Sequence, residues 1–343
     1  MRQAVMTAPG TIELREVPVP SIGQEEVLVR IARIGVCGSD IHVWHGKHPY
    51  TSYPVVQGHE VSGTVVDTGA KVTGFSEGDK VTIEPQVFCG VCYACRSGMY
   101  NICDHLKVIG FQAPGAASDY FAVPASRLVK LPQEMDLEHG ALIEPLAVAC
   151  RAAGKAGDLT GKRVLVLGAG PIGNLTAQVV RARGAAGVLI VDPNTFRLGI
   201  ARKCGIDLTL DPGAEDPAAA IARAFGEDEK ADVIFECTGV PAAMETAVST
   251  ARKGTQVVVV GVFGEKVPLD MATVNEKELS LIGTARYIID DFRAAVPMVT
   301  GNKVRLAPLV THGFPLTDYT AAYRHIEEHG AQSMKVMIKV SEG

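Results

Sequence analysis

From Gly161 onward the chain alternates short β-branched runs with helical stretches, and that rhythm admits few folds. Candidate strands lie at 163–167, 188–191, 208–210, 233–236, 257–260 and 279–282. Helices fit at 171–183, 195–203, 217–225 and 241–251, several with Pro in the first turn, where a missing N–H is tolerated. Strands that return through helices pair in parallel, so the alternation predicts a doubly wound parallel sheet.

The first strand-to-helix turn carries Gly168-Ala169-Gly170-Pro171-Ile172-Gly173, a G-x-G-x-x-G match. With 36 glycines in the chain the pattern alone means little, but here it follows an apolar strand and opens a helix. Gly168 permits the tight turn, Gly170 lets backbone approach a pyrophosphate, and Gly173 lets the helix pack close to the sheet. The helix N–H groups then face the phosphates. Asp192 ends the next strand, 24 residues beyond Gly168, and is placed to accept hydrogen bonds from an adenosine ribose. Its carboxylate would repel a 2′-phosphate, which favours NAD over NADP. The competing reading makes Asp192 a turn residue before Pro193, and Arg197 blurs the preference because an Arg can accommodate a 2′-phosphate. Thr238 and Gly261, at later strand ends, let backbone approach a nicotinamide.

At 343 residues the chain exceeds the size at which one core stops growing, so two domains are expected. Residues 1 to about 130 read as short strands punctuated by Gly and Pro, a β-rich domain. The run Lys335-Val336-Met337-Ile338-Lys339-Val340 reads as a strand that rejoins it. Residues 1–150 with 284–343 then form one domain, and 151–283 form an inserted dinucleotide-binding domain.

Cys89-x2-Cys92-x2-Cys95-x7-Cys103 has a spacing that wraps one tetrahedral metal ion. Four thiolates close the shell of a zinc ion and leave no position for substrate, so the site reads as structural. An iron–sulfur cluster is the first rival, but its bacterial pattern ends with a three-residue gap and a proline, whereas here the gap is seven and Asp104 follows. Paired disulfides are the second. The sequence opens Met1-Arg2-Gln3-Ala4-Val5 with no apolar leader, which predicts the reducing cytoplasm.

Cys37, His59 and Glu60 offer a soft, a borderline and a hard ligand in the β-rich region. Singly, each has a bland reading as a buried small residue or a solvated one. Beside a closed zinc site and a dinucleotide site they look like a catalytic zinc with three protein ligands and one open position. Such an ion lowers the pKa of an alcohol so that it can expel hydride.

These marks, with Gly35-Val36-Cys37-Gly38-Ser39-Asp40-Ile41-His42, Gly58-His59-Glu60, Ala141-Leu142-Ile143-Glu144-Pro145 and Glu236-Cys237-Thr238-Gly239, resemble the zinc-dependent medium-chain dehydrogenases, in their sorbitol (polyol) and threonine dehydrogenase branch. The resemblance spans nearly the whole chain and implies a GroES-like catalytic domain with an inserted Rossmann domain. It implies Cys37, His59 and Glu60 as catalytic zinc ligands, and Glu144 at the metal's edge, bound directly or through water. A carboxylate within Ala-Leu-Ile-Glu-Pro-Leu does need a partner or a metal, though a salt bridge would also serve. Ser39 matches the hydroxyl beside the reacting alcohol and His42 the residue that passes its proton to solvent. Phe111, Arg286 and Tyr287 resemble positions lining the polyol pocket, while His45 and His48 read as loop surface. Gly115–Tyr120 stands where the family more often shows paired glycines and then an aromatic, and Val43-Trp44 differs from the Tyr-Trp pair of animal sorbitol dehydrogenases, which also lack the full cysteine lobe, so sorbitol is one candidate among several.

Net charge is −5, from 33 basic and 38 acidic residues, and no Lys/Arg block offers a stripe for nucleic acid. The 47% apolar content contains no run near the ~18 residues of a membrane span. The expected partners are a small-molecule alcohol and a second copy of the chain, as homodimer or homotetramer. The expected activity is NAD-dependent oxidation of a secondary alcohol on a polyol, cyclitol or sugar acid, with two zinc ions per chain. L-Threonine 3-dehydrogenase is the enzymatic alternative, and a non-catalytic zinc/NAD(H) sensor the alternative of another class.

Overall fold

A computed structural model describes residues 1–227 and 230–342. The chain divides into two compact units. The first holds residues 1–144, 288–296 and the segment from 310 to the end of the described chain; the second holds 145–287 and 297–309.

The first unit is built on the Glu26–Val36 strand, whose Val27, Val29, Ile31 and Ile34 are fully buried. Each such side chain withdrawn from water contributes roughly 1.5–3 kcal/mol, so this strand anchors the core. It pairs antiparallel with Glu60–Thr68 on one side. On the other side, Tyr120–Pro124 covers its first half and Lys335–Lys339 its second. The sheet continues through Lys80–Ile83 to Leu128–Lys130, and at its other edge Val310–Pro315 runs parallel to Lys335–Lys339. Between those last two strands lies the Tyr319–His329 helix, which packs Tyr319, Ala322 and Tyr323 into the same core. The chain's C-terminal strand thus sits beside the strand that ends one residue before Cys37, as the apolar run 335–340 predicted.

The second unit is a six-stranded parallel sheet in the order 208–210, 187–191, 163–167, 233–236, 256–259, 280–283. Strand order reverses between Arg163–Leu167 and Val233–Glu236, the switch point outside which doubly wound sheets bind ligands. Its helices start at residues that satisfy free N–H groups: Asn194 accepts from Arg197 N at 3.2 Å and Asp216 from Ala219 N at 3.0 Å. Pro171, Pro217 and Pro241 occupy first turns. Strand and helix limits agree with the sequence reading to within a residue or so.

Residues 145–150 and 284–287 group with this second unit, and so does the segment 297–309, whereas the sequence reading gave 1–150 and 284–343 to the other domain. For 297–309 the cause is a side chain: Gln178 accepts from Arg305 N at 2.7 Å and donates to Arg305 O at 3.2 Å. A single amide in the Pro171–Ala182 helix thereby satisfies a stretch of irregular backbone.

Candidate active site

Register brings the first metal group together. Gly35 pairs with Glu60 across adjacent strands, so Cys37, two residues on, lies beside His59 and Glu60. One donor atom from each of the three lies within 4.8 Å of the others. A Cβ on Gly35 would meet Glu60 Oε2 at 2.2 Å, so only glycine leaves room for this carboxylate. Asp40 supports the group from the Gly38–Trp44 helix: its Oδ2 accepts from Cys37 N at 2.9 Å, and its Oδ1 lies 3.4 Å from His59 Nδ1. Burial disfavours a charged imidazole at His59, yet the Asp40 carboxylate and then the Cys37 sulfur outweigh it and raise the ring's pKa well above its usual value. The pocket attracts positive charge, and a soft, an imidazole and a carboxylate donor suit zinc.

Lys335 also belongs to this group, and the sequence reading did not single it out. It is 3% exposed, and its ammonium hydrogen-bonds both oxygens of Glu60. Burial works against its charge, but Glu60, then Cys37, and more weakly Glu144, hold its pKa above the ordinary lysine value. Glu144 is buried at the start of the Ile143–Lys155 helix and stays outside the converging three-donor group.

Ser39 and His42 lie three residues apart on the Gly38–Trp44 helix, hence on one face, with Ser39 half-buried and His42 exposed in the last turn. Phe111 is buried with its ring centroid 4.9 Å from that of His59. His48, which the sequence suggested was loop surface, stacks on the opposite partner: its ring lies 4.8 Å from Phe111 and its Nδ1 2.8 Å from the Thr51 hydroxyl. Desolvation, and then the nearby His42, lower its pKa against the opposing pull of Asp40. The chain returns over the helix end because Lys47 and His48 both donate backbone N–H to His42 O. Arg286 and Tyr287 belong to the second unit, where Tyr287 is buried and Arg286 has a φ of 53°, a left-handed conformation that a non-glycine residue holds only under constraint.

The four-cysteine loop forms a second metal group. Its sulfurs all lie within 4.8 Å of one another, with Cys89–Cys103 at 3.5 Å and Cys89–Cys95 and Cys92–Cys103 at 3.9 Å. Four thiolates at zinc distance would be about 3.8 Å apart, so the loop already has the shape of a closed tetrahedral site. Backbone N–H groups of Val91 and Cys92 lower the Cys89 thiol to about 6, while desolvation and the neighbouring thiols push Cys95 up to about 12. Four such close sulfurs cannot all ionise without a cation between them.

In the second unit the glycine motif behaves as its spacing predicts. Gly168 has φ 97°, a Cβ on Gly173 would meet Gly168 O at 1.8 Å, and one on Gly170 would meet nothing within 4 Å, leaving open space where a ligand can approach. Asp192 ties this turn to the next strand: its Oδ2 accepts from Ala169 N and its Oδ1 from Asn194 N, each at 2.8 Å. The turn role and the position at the strand end therefore coincide. Arg197 Nη1 lies 3.9 Å from Asp192 Oδ2. Thr238 and Gly261 flank fully buried Glu236, whose Oε1 accepts from Thr238 N at 2.7 Å and whose backbone oxygen accepts from Gly261 N at 2.9 Å.

Known proteins resemble this chain over nearly its whole length. The family described as "Alcohol dehydrogenase GroES-like domain" matches residues 23–133, and that described as "Zinc-binding dehydrogenase" matches 171–301. Sorbitol dehydrogenase 1 of Saccharomyces cerevisiae is 36% identical over 97% of this chain and 96% of its own. The 2-dehydro-3-deoxy-L-galactonate 5-dehydrogenase of Pseudoalteromonas atlantica is 35% identical over 92% and 91%. Among solved structures, galactitol-1-phosphate dehydrogenase from Escherichia coli superposes with a TM-score of 0.92 at 31% identity, covering 99% of this chain and 100% of that one.

Proposed function

The chain belongs to the zinc-dependent medium-chain dehydrogenase family, and from that premise we propose that it oxidises a secondary alcohol of a polyol, cyclitol or sugar acid to a ketone, with NAD as hydride acceptor. The observation that carries this reading is the convergence of Cys37, His59 and Glu60 beside the helix that bears Ser39 and His42. Cys37, His59 and Glu60 would hold a catalytic zinc, and Cys89, Cys92, Cys95 and Cys103 a structural one. When bound, zinc supplies Lewis-acid polarisation of the alcohol oxygen and the dinucleotide supplies the hydride acceptor.

The chain's own residues then move the proton and orient the substrate. Ser39 takes up the hydrogen of the reacting hydroxyl, and exposed His42 passes it to water. Asp40 orients His59, Lys335 holds Glu60, and Glu144 adds negative charge at the edge of the group. Phe111 and His48 form an aromatic wall, and Arg286 and Tyr287 supply polar contacts to substrate hydroxyls. Gly168, Gly170, Pro171, Ile172, Gly173, Asp192, Arg197, Thr238 and Gly261 form the NAD site, with Asp192 on the adenosine ribose. On this reading the first unit is the zinc-binding catalytic domain and the second the dinucleotide-binding domain.

Hydroxyl-rich substrates fit better than L-threonine because Lys335 already neutralises Glu60, and Asp40 is committed to Cys37 and His59. An ammonium group finds hydroxyl and imidazole neighbours there in Ser39, His42 and His48. No helix among the described residues is long and apolar enough to cross a membrane. The grouping of Cys89, Cys92, Cys95 and Cys103 as one metal-binding loop rather than paired disulfides supports a reducing cytoplasmic setting. Among the described residues the Ser280–Gly283 strand, at one edge of the second unit's sheet, has no strand on its outer side and carries exposed Leu281, which supports pairing with a second copy in a homodimer or homotetramer.

Initial rates of NAD reduction over a panel of polyols, sugar acids, cyclitols and L-threonine test the assignment. A polyhydroxy substrate should show the highest kcat/KM. L-Threonine in first place would transfer the reading to threonine 3-dehydrogenase, and no turnover of any alcohol would leave the sensor reading.

A further inference from the structure

Gln57 stands two residues before His59 and is 1% exposed, so its amide must find partners inside the protein. It has two. Its Nε2 donates to Asp40 Oδ1 at 3.1 Å, and its Oε1 accepts from the Tyr323 hydroxyl at 2.6 Å. The amide can face only one way, because a carboxylate accepts and never donates, which fixes the NH2 on Asp40 and the oxygen on Tyr323. Asp40 Oδ2 is held by Cys37 N at 2.9 Å, so both carboxylate oxygens are pinned and Oδ1 stays opposite His59 Nδ1.

Tyr323 is itself immobilised. It is fully buried in the Tyr319–His329 helix, stacked on Trp44 with ring centroids 5.0 Å apart and edge-on to Tyr319 at 5.7 Å. One turn further along the same face, Glu327 Oε1 accepts from Trp44 Nε1 at 2.9 Å and pairs with His45 Nε2 at 2.6 Å. A helix near the C-terminus therefore grips the Gly38–Trp44 helix at its far end and reaches its carboxylate through Gln57.

We propose that Gln57 and Tyr323 are positioning residues for the metal group, which act through Asp40 to fix the His59 ring with Nδ1 turned away and Nε2 presented as the metal donor. This rests on the reading of Cys37, His59 and Glu60 as zinc ligands. Partners that orient a ligating histidine typically change metal affinity 10- to 100-fold when removed. The chain's remaining contacts should keep the fold, since Phe at 323 retains the stacking on Trp44.

The test uses the zinc-loaded full chain and compares Tyr323→Phe and Gln57→Leu with the unmodified protein. Release of each zinc to a chelator is followed in time, and the visible spectrum is recorded after exchange of the weaker site to cobalt(II). In both variants one zinc should leave about tenfold faster and the cobalt bands should shift, while the four-cysteine zinc leaves at its original rate. The double variant should be no faster than the worse single one, because both residues act through one path. Unchanged release and an unchanged cobalt spectrum in both variants would overturn the proposal. A different failure marks the underlying reading: cobalt bands in the unmodified protein that survive Cys37→Ser would place the exchangeable metal elsewhere.

Discussion

At the scale of single residues, a buried lysine sets the charge of the candidate metal group formed by Cys37, His59 and Glu60. Lys335 is the counter-ion of Glu60 before any metal arrives, so the two cations compete for one carboxylate. Removing one partner of a buried pair costs roughly 3–5 kcal/mol, and a bound metal would restore the missing positive charge. Lys335→Met should therefore lower the melting temperature of chelator-treated protein and widen the gap between chelated and zinc-loaded forms. An unchanged gap, read by calorimetry, would show that Glu60 does not sense the metal. His42→Ala is expected to reduce kcat by about 10²-fold, with zinc content and NADH affinity retained, since an exposed relay touches neither. Glu144→Gln keeps shape and removes charge beside Lys335, and steady-state kinetics should again show the loss in kcat with the fold intact. Full activity in both variants would leave these two residues without a catalytic role.

At the scale of elements, turns and strand ends are fixed by carboxylates that accept from backbone N–H groups, as Asp192 and Asp232 do. Asp192 joins the glycine turn to the next strand through Ala169 N. Asp192→Ala should weaken NAD use and narrow the preference over NADP by roughly 1–2 kcal/mol in kcat/KM, the scale of a charged hydrogen bond. Better use of NADP by the unmodified protein would mean that Arg197 dominates. Asp232 does structural work at the start of the Val233–Glu236 strand, where it accepts from Arg163 N at 2.7 Å and pairs with Arg163 and Arg252. Burial opposes its charge, but the Arg163 N–H and the two guanidiniums outweigh it and hold its pKa below the usual value. The folded state then binds fewer protons than the unfolded one between the two pKa values, so this stabilisation is complete above about pH 4 and is lost as pH falls further. Asp232→Asn should be less stable than the unmodified protein by about 1–3 kcal/mol at pH 7, and the gap in urea midpoints should narrow as pH falls from about 4 through the lowered pKa of Asp232. A gap that keeps its full size down to about pH 2 would exclude the ion pairs as its origin.

At the scale of the whole molecule, what the sequence disclosed was local and what it concealed was long-range. The cysteine loop, the glycine turn and the strand–helix alternation are read from spacing, because each is assembled from neighbours in the chain. Even Phe111 was placed by resemblance, and its ring does sit against His59. Lys335 and Tyr323 reach Glu60 and Gln57 only when the last strand and helix return to the first sheet, and no spacing links residues 275 or 266 positions apart. His48 escaped for a smaller reason, a turn over the helix end that stacks it on Phe111. The segment 297–309 escaped because one buried glutamine, Gln178, decides where it packs. The central claim is that one chain carries a closed and an open zinc site with separate duties. Elemental analysis of gently purified protein and of Cys37→Ala tests it most directly: two zinc ions per chain should fall to one, with the four-cysteine zinc retained. A single zinc in the unmodified protein that survives Cys37→Ala would contradict the catalytic metal and the alcohol chemistry built on it.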